Sequence, residues 1–129
     1  MPFAAKQGDK VTALDTHLVQ PPGSVPPVPT PGLPFNGIVD GSLSSDVTIE
    51  GMPAATVGST ATNTPPHVAP TGMFVNPPSN QGTIISGSTT VSINSQPAAR
   101  AGDTAKTCND PLDLPVGTVV AAGTVSIGG

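Results

Sequence analysis

Short runs in which branched side chains alternate with polar ones recur along this chain. Val47-Thr48-Ile49, Val91-Ser92-Ile93 and Val125-Ser126-Ile127 each set two β-branched residues two positions apart, the period of a half-buried strand. Ahead of each lies a second strand-like run: Gly37-Ile38-Val39, Gly82-Thr83-Ile84-Ile85 and Gly117-Thr118-Val119-Val120. Gly41, Gly87 and Gly123 fall between the paired runs, where a hairpin turn asks for positive φ. The pattern predicts short hairpins with Val47, Ile49, Val91, Ile93, Val125 and Ile127 on buried faces. One hairpin cannot bury such a face alone, so the three faces must converge.

Each run leads into a similar sequence. Residues 47–58 align with residues 91–102, both passing from a strand into Pro-Ala-Ala: Pro53-Ala54-Ala55-Thr56 in one, Pro97-Ala98-Ala99-Arg100 in the other. A third copy is split across the termini: the strand ends the chain, and Ala4-Ala5-Lys6-Gln7-Gly8-Asp9 begins it. If the ends meet, three units close into a ring with pseudo-threefold symmetry, and the small Ala pairs permit close approach on its axis.

Composition narrows the function. Of 129 residues, 17 are Pro and 15 Gly, which break helices too often for a helical bundle. Strand-forming residues and low charge argue against disorder, which leaves one small all-β domain. Pro21 to Phe35 and Thr64 to Pro78 read as proline-rich loops, the first in extended polyproline geometry, both ordered along the strands to cover their edges. Four Lys/Arg against eight Asp/Glu, with no Trp or Tyr and three Phe, exclude a nucleic-acid binder. No run approaches the roughly 20 apolar residues of a membrane span, and Met1-Pro2-Phe3-Ala4-Ala5-Lys6 lacks the core of a signal peptide. With one cysteine there is no intrachain disulfide, so so short a chain calls for a metal or a partner as a staple.

The rare residues fall in phase with the repeats. On the Ala4-Ala5/Ala54-Ala55 register His17 coincides with His67; the third copy has Pro111 there, with Cys108 three residues earlier. Threefold symmetry would bring the two imidazoles and the thiol together on the axis, a soft donor set suited to zinc. A fourth ligand would be oxygen, from Asp15, Asp110 or water, and is left unassigned. The same atoms admit a thiol enzyme, with Cys108 as nucleophile and His17 or His67 as base, but no oxyanion turn accompanies them. Asp103 and Asp110 likewise lack a cleft for paired-acid chemistry.

Pro97-Ala98-Ala99-Arg100-Ala101-Gly102-Asp103 resembles the signature of the PAAR-repeat family, and Pro53-Ala54-Ala55-Thr56 and Ala4-Ala5-Lys6-Gln7-Gly8-Asp9 are weaker echoes of it. The resemblance implies a small cone of short β-hairpins in three repeats, and since the last strand ends at Gly129 a single domain over residues 1–129 is expected, without the fused effector or toxin that many family members carry. It implies the tip of a contractile injection system, such as type VI secretion, an extracellular injection particle or a phage-tail-like device. Such a tip caps a trimeric β-helical spike of valine-glycine repeat type, one tip per trimer, and is a monomer in isolation. It contacts the target membrane mechanically and helps deliver effectors. Assembly would take place in the bacterial cytoplasm before delivery outside with the particle. The family's apical metal, zinc or alternatively iron, maps onto His17, His67 and Cys108; the pattern has three histidines where this chain has two. Arg100 reads as structural, bonded to turn carbonyls or to Asp103. The alternative reading is a metal-stapled module acting as a cargo adaptor or adhesin.

Overall fold

The computed structural model describes residues 1–23 and 25–128. Ser24, within the first proline-rich stretch, and Gly129, the end of the third repeat strand, lie outside the described residues. The described strands are β1 (Lys10–Gln20), β2 (Val28–Gly41), β3 (Thr48–Ile49), β4 (Met52–Pro53), β5 (Thr60–Asn63), β6 (Met73–Phe74), β7 (Gln81–Ile84), β8 (Ser92–Ile93), β9 (Gln96–Pro97), β10 (Thr104–Thr107) and β11 (Leu114–Val120). Six of them form an antiparallel sheet in the order β11-β10-β7-β5-β2-β1. Pairing of β1 with β11, from Lys10↔Val120 to Thr12↔Thr118, closes it into a small barrel-like cone. The fold is all-β, and closure leaves this end of the sheet without an open edge.

The base of the cone is threefold down to its backbone bonds. Ala5 N–H donates to Ala99 O (3.0 Å), Ala99 N–H to Ala55 O (3.1 Å) and Ala55 N–H to Ala5 O (3.0 Å), a closed ring around the axis. Around it, Ala4, Ala54 and Ala98 donate to Val125, Val47 and Val91 at 2.9–3.0 Å. The two ends of the chain are joined there, with Phe3 bridging Ser126 and Ile127 N–H donating to Pro2 O. All six alanines of the turns are at most 2 % exposed. Only a methyl fits where three backbones meet, which is the physical reason for the Ala-Ala pairs.

Below the ring, Ala4, Ala54 and Ala98 pack with Ile49, Ile93 and Ile127 as one cluster. The isoleucines converge as the alternation predicts, but their valine partners do not. Val47 and Val125 are more than a third exposed, and Val91 is half-buried. The strands are too short to bury two residues each, because the chain reverses at once through Glu50-Gly51 and Asn94-Ser95 with positive φ (51°, 82° and 52°, 66°). These, and not Gly41 and Gly87, are the left-handed turn positions. Gly41 and Gly87 serve close approach instead, since a Cβ on them would strike Thr60 Oγ1 and Ala98 O. Gly123 does have positive φ, 155°.

On the other side of the ring the barrel interior begins with Val11, Ala61 and Ala105, and with Val39, Ile84 and Val119, all at most 1 % exposed. Each triple holds one residue per repeat. Farther along, β1 and β2 continue as a long two-stranded arm, Ala13↔Phe35 through Val19↔Val28. Pro21 to Phe35 is therefore not a polyproline loop throughout: from Val28 onward it is strand. β2 pairs with β5 only over Gly37 to Gly41, so its outer half is an edge where Pro29, Pro31 and Pro34 need donate no bond. The stretch from Thr64 to Pro78 does lie along the strands, with Met73 and Phe74 paired to Gln20 and Val19.

Candidate metal centre

Period-two alternation along β1 places Val11, Ala13, Asp15, His17 and Val19 toward the interior. The first two belong to the apolar core, and the next two are buried polar groups, Asp15 at 0 % and His17 at 2 % exposed. The register of β2 shifts between Asp15↔Leu33 and His17↔Thr30, and this bulge lets the arm bend while β1 keeps both residues inward.

Two segments bring the other groups against them. After β10, Cys108 is carried in because Asn109 and Asp110 are stitched to the free side of β1. Thr16 N–H donates to Asn109 Oδ1 (2.7 Å), Asp110 N–H to Thr16 O (2.9 Å) and Leu18 N–H to Asp110 Oδ2 (2.8 Å). After β5, His67 is set by asparagines: Asn80 Oδ1 accepts from His67 N–H (2.9 Å) and from Asn63 Nδ2 (3.1 Å), while Asn63 Oδ1 accepts from Asn36 N–H. Phe35 and Phe74 wall the pocket, with ring centroids 6.2 Å from His67 and 5.7 Å from His17.

The result is one cluster of four donors, Asp15, His17, His67 and Cys108, whose ligand atoms all lie within 4.8 Å of one another. His17, His67 and Cys108 are the three residues singled out by the repeat register. Asp15, left open in the sequence with Asp110, stands among them. Asp110 stands behind, 3.2 Å from His17 Nδ1, the place of a carboxylate that orients a ligating imidazole. Thr107 and Asn109 were not foreseen; both donate to Asp15 Oδ1, leaving Oδ2 to face His67 Nε2 (2.7 Å) and Cys108 Sγ (3.6 Å).

These residues fit a metal ion on two observations. His17 Nε2 is buried and has no hydrogen-bond partner among the described residues, although its other nitrogen is engaged; an idle buried nitrogen costs stability unless something fills it. Donors around a tetrahedral zinc stand about 3.3–3.8 Å apart, given bonds of about 2.0–2.3 Å. The Cys108–Asp15 separation of 3.6 Å has that length, and the His67–Asp15 contact would open by several tenths of an ångström. In the metal-free chain, burial pushes the Cys108 thiol up to about 11, with the Asp15 carboxylate raising it further and the Asn80 backbone partly opposing.

Arg100 is structural, as read from the sequence. Its N–H donates to Asp103 Oδ2 (2.7 Å) and its guanidinium pairs with Asp103 (3.0 Å), which also holds the guanidinium charge. Guanidinium nitrogens reach Gly87 O and Gly128 O at 3.5 Å. Lys6 and Asp9 repeat the pair at 3.2 Å.

No curated protein matches the chain. The family model for the PAAR motif matches residues 75–129, which hold the second repeat, the closing strand of the third and Cys108, but neither His17 nor His67. With the full Pro97-Ala98-Ala99-Arg100 turn at its centre and the alanine ring closing on Ala99, this segment is a PAAR motif, of the family that the turn sequences resemble.

Proposed function

We propose that this protein is the metal-stapled tip of a contractile injection system, seated on a trimeric β-helical spike of valine-glycine repeat type. The observation that carries the reading is the ring of Ala5, Ala55 and Ala99. One chain builds a threefold base, the symmetry a single copy needs to meet three identical spike chains at once. The hairpins β3–β4 and β8–β9 and the bridged termini surround that axis, and expose Phe3, Met52 and Val125, apolar surface for a partner to cover.

At the far end His17, His67, Cys108 and Asp15 would hold the ion, zinc by the softness of the set. When bound, a metal supplies cross-links among β1, the β5–β6 loop and the β10–β11 loop. The chain itself supplies the rest. Asp110 fixes the His17 ring, Thr107 and Asn109 fix Asp15, and Phe35 and Phe74 keep water from the donors. A narrow end has little room for apolar core, and these polar contacts take its place. The role is mechanical: the tip transmits the thrust of the spike to the target envelope and rides out with the particle after assembly in the bacterial cytoplasm, with effectors as further cargo. A thiol enzyme is disfavoured because Cys108 is buried against Asp15, and burial pushes its thiol up, the opposite of the lowered value that activates a nucleophile.

The test is co-purification with a trimeric spike protein from the same injection machine. The reading expects one copy of this chain per three spike chains, lost when Met52 and Val125 are both changed to Asp. Normal folding with no retention on any such spike would sink it and favour the adaptor or adhesin alternative.

A further inference from the structure

The three repeats, residues 37–59, 82–103 and 117–128 continued by 2–9, meet in three seams around the base, and these seams are not filled alike. Where the second repeat meets the third, the Arg100 guanidinium lies in the seam on Gly87 O and Gly128 O, its side chain only 15 % exposed. In the third repeat, Lys6 Nζ lies on one carbonyl of its own repeat, Ala122 O (2.8 Å), its side chain 13 % exposed. Each cation is held by an acid three residues on, Asp103 or Asp9.

Where the first meets the second, the register puts Thr56 in the cation's place and Ser59 in the acid's. Thr56 N–H donates to Ser59 Oγ (3.0 Å), copying the backbone half of the arrangement at Lys6 and Arg100. The long side chain is missing, and an open groove of about 600 Å³ runs between Leu43, Ser44, Thr56, Asn94 and Gln96. Leu43 and Asn94 occupy the register positions of Gly87 and Gly128, whose carbonyls receive Arg100. One acid stands at its rim: Asp46, bonded to Asn94 Nδ2 at 2.6 Å.

We propose that this groove receives a lysine or arginine side chain of a partner protein. Within one chain the register position of Thr56 is twice filled by a mostly buried cation resting on backbone carbonyl oxygen: Arg100 on Gly87 O and Gly128 O across its seam, and Lys6 on Ala122 O. In the third the backbone turn is kept and the cation is left out, so an incoming side chain would enter beside Ser44 and Asn94, which are hydrogen-bonded across the seam, with Asp46 as added counter-charge. A groove lined by hydroxyl, amide and carbonyl groups, in a chain of net charge −4, favours a cation over an anion. A spike offering the same basic side chain to all three seams could enter only this one. The inference stands apart from the metal site and from which partner docks at the base.

The test uses N-ethylguanidinium, an analogue of the arginine side chain, titrated into the full chain at constant ionic strength with sodium as the reference cation. Amide chemical shifts report the three seams side by side. The proposal expects saturable shifts at Leu43, Ser44, Thr56 and Asn94 with a dissociation constant on the order of millimolar. Responses at Gly87, Arg100 and Gly128, and at Lys6 and Ala122, should be at least about tenfold weaker, because those seams are filled. Thr56→Arg with Ser59→Asp should fill the groove from within and abolish the response. Absence of saturation, equal response in the three seams, or binding that survives in the filled variant would overturn the proposal. Should that variant not fold, the three-seam comparison in the unaltered chain decides alone.

Discussion

The base and the apex of this cone are held by opposite means. At the base, three copies of one turn meet through backbone hydrogen bonds, and the side chains there are methyls and isoleucines. At the apex the symmetry is gone. Asp15 and His17 come from a strand, His67 from a loop fixed by asparagines, and Cys108 from a turn pinned by Asn109 and Asp110. The backbone ring is self-contained, whereas the apical polar cluster leaves the buried His17 Nε2 without a hydrogen-bond partner among the described residues. The threefold ring needs only methyls and isoleucines around its backbone bonds, whereas the apex is held by polar side chains from three unrelated segments.

The largest effect is expected at the ring. Ala99→Leu forces three extra carbons into a place where backbones touch, and should cost about 3 kcal/mol or more. A urea unfolding curve checks this: the midpoint should fall for the whole molecule, not only for part of it. An unchanged midpoint would mean that the ring is not the tightly packed centre described.

The pH response sharpens the contrast at the apex. In the metal-free chain the folded thiol ionises near 11 against an ordinary 9.0. Folding stability from this group is therefore fully present below about pH 9 and is lost as pH rises toward 11. Metal affinity runs the other way, because the ion takes the thiolate: one proton is displaced, and apparent affinity should climb about tenfold per pH unit in the neutral range. Chemical unfolding and zinc titration across pH read the two slopes. Cys108→Ser should remove both, while a base-only change such as Arg100→Met should leave both intact.

The smallest effect is expected for Arg100→Met. The pair with Asp103 is mostly buried yet keeps some contact with water, its side chains 15 % and 7 % exposed, so its loss should cost about 2 kcal/mol or less, with the shift in unfolding midpoint reduced at high salt. A loss of several kcal/mol would show that the seam cations hold the base together as much as the alanine ring does.

Much of the base was legible in the sequence because its determinants are local and repeated. Pro-Ala-Ala marks each turn, and one isoleucine in each strand finds the axis. The valines misled because alternation tells which side a residue faces, not how far the strand extends before Glu50 or Asn94 reverses it. Gly41 and Gly87 misled for a related reason: a glycine needed for close approach to Thr60 or Ala98 looks the same as one needed for positive φ. At the apex, His17 and His67 were readable because they share one register position of the repeat, and Cys108 because it lies three residues before that position in the third copy. Asp15 could have been found as the residue two before His17 on the same inward face. The positions of Asp110, Thr107 and Asn109 depend on a long-range stitch between the β10–β11 loop and β1, which no spacing reveals. The proline-rich stretch became strand because an edge strand paired on one side asks little of proline N–H groups.

Whether a metal holds the apex is decided by thermal unfolding of the purified chain with its metal content measured on the same sample, before and after chelation. About one zinc per chain is expected, bound through His17, His67, Cys108 and Asp15. Its removal should lower the melting temperature by ten degrees or more, an effect of roughly 2 kcal/mol or above for a domain of this size. Asp15→Asn with His17→Ala should behave as the chelated protein does. A chain that carries no metal, takes up none when zinc is added and melts at the same temperature with and without chelator would contradict the stapled apex.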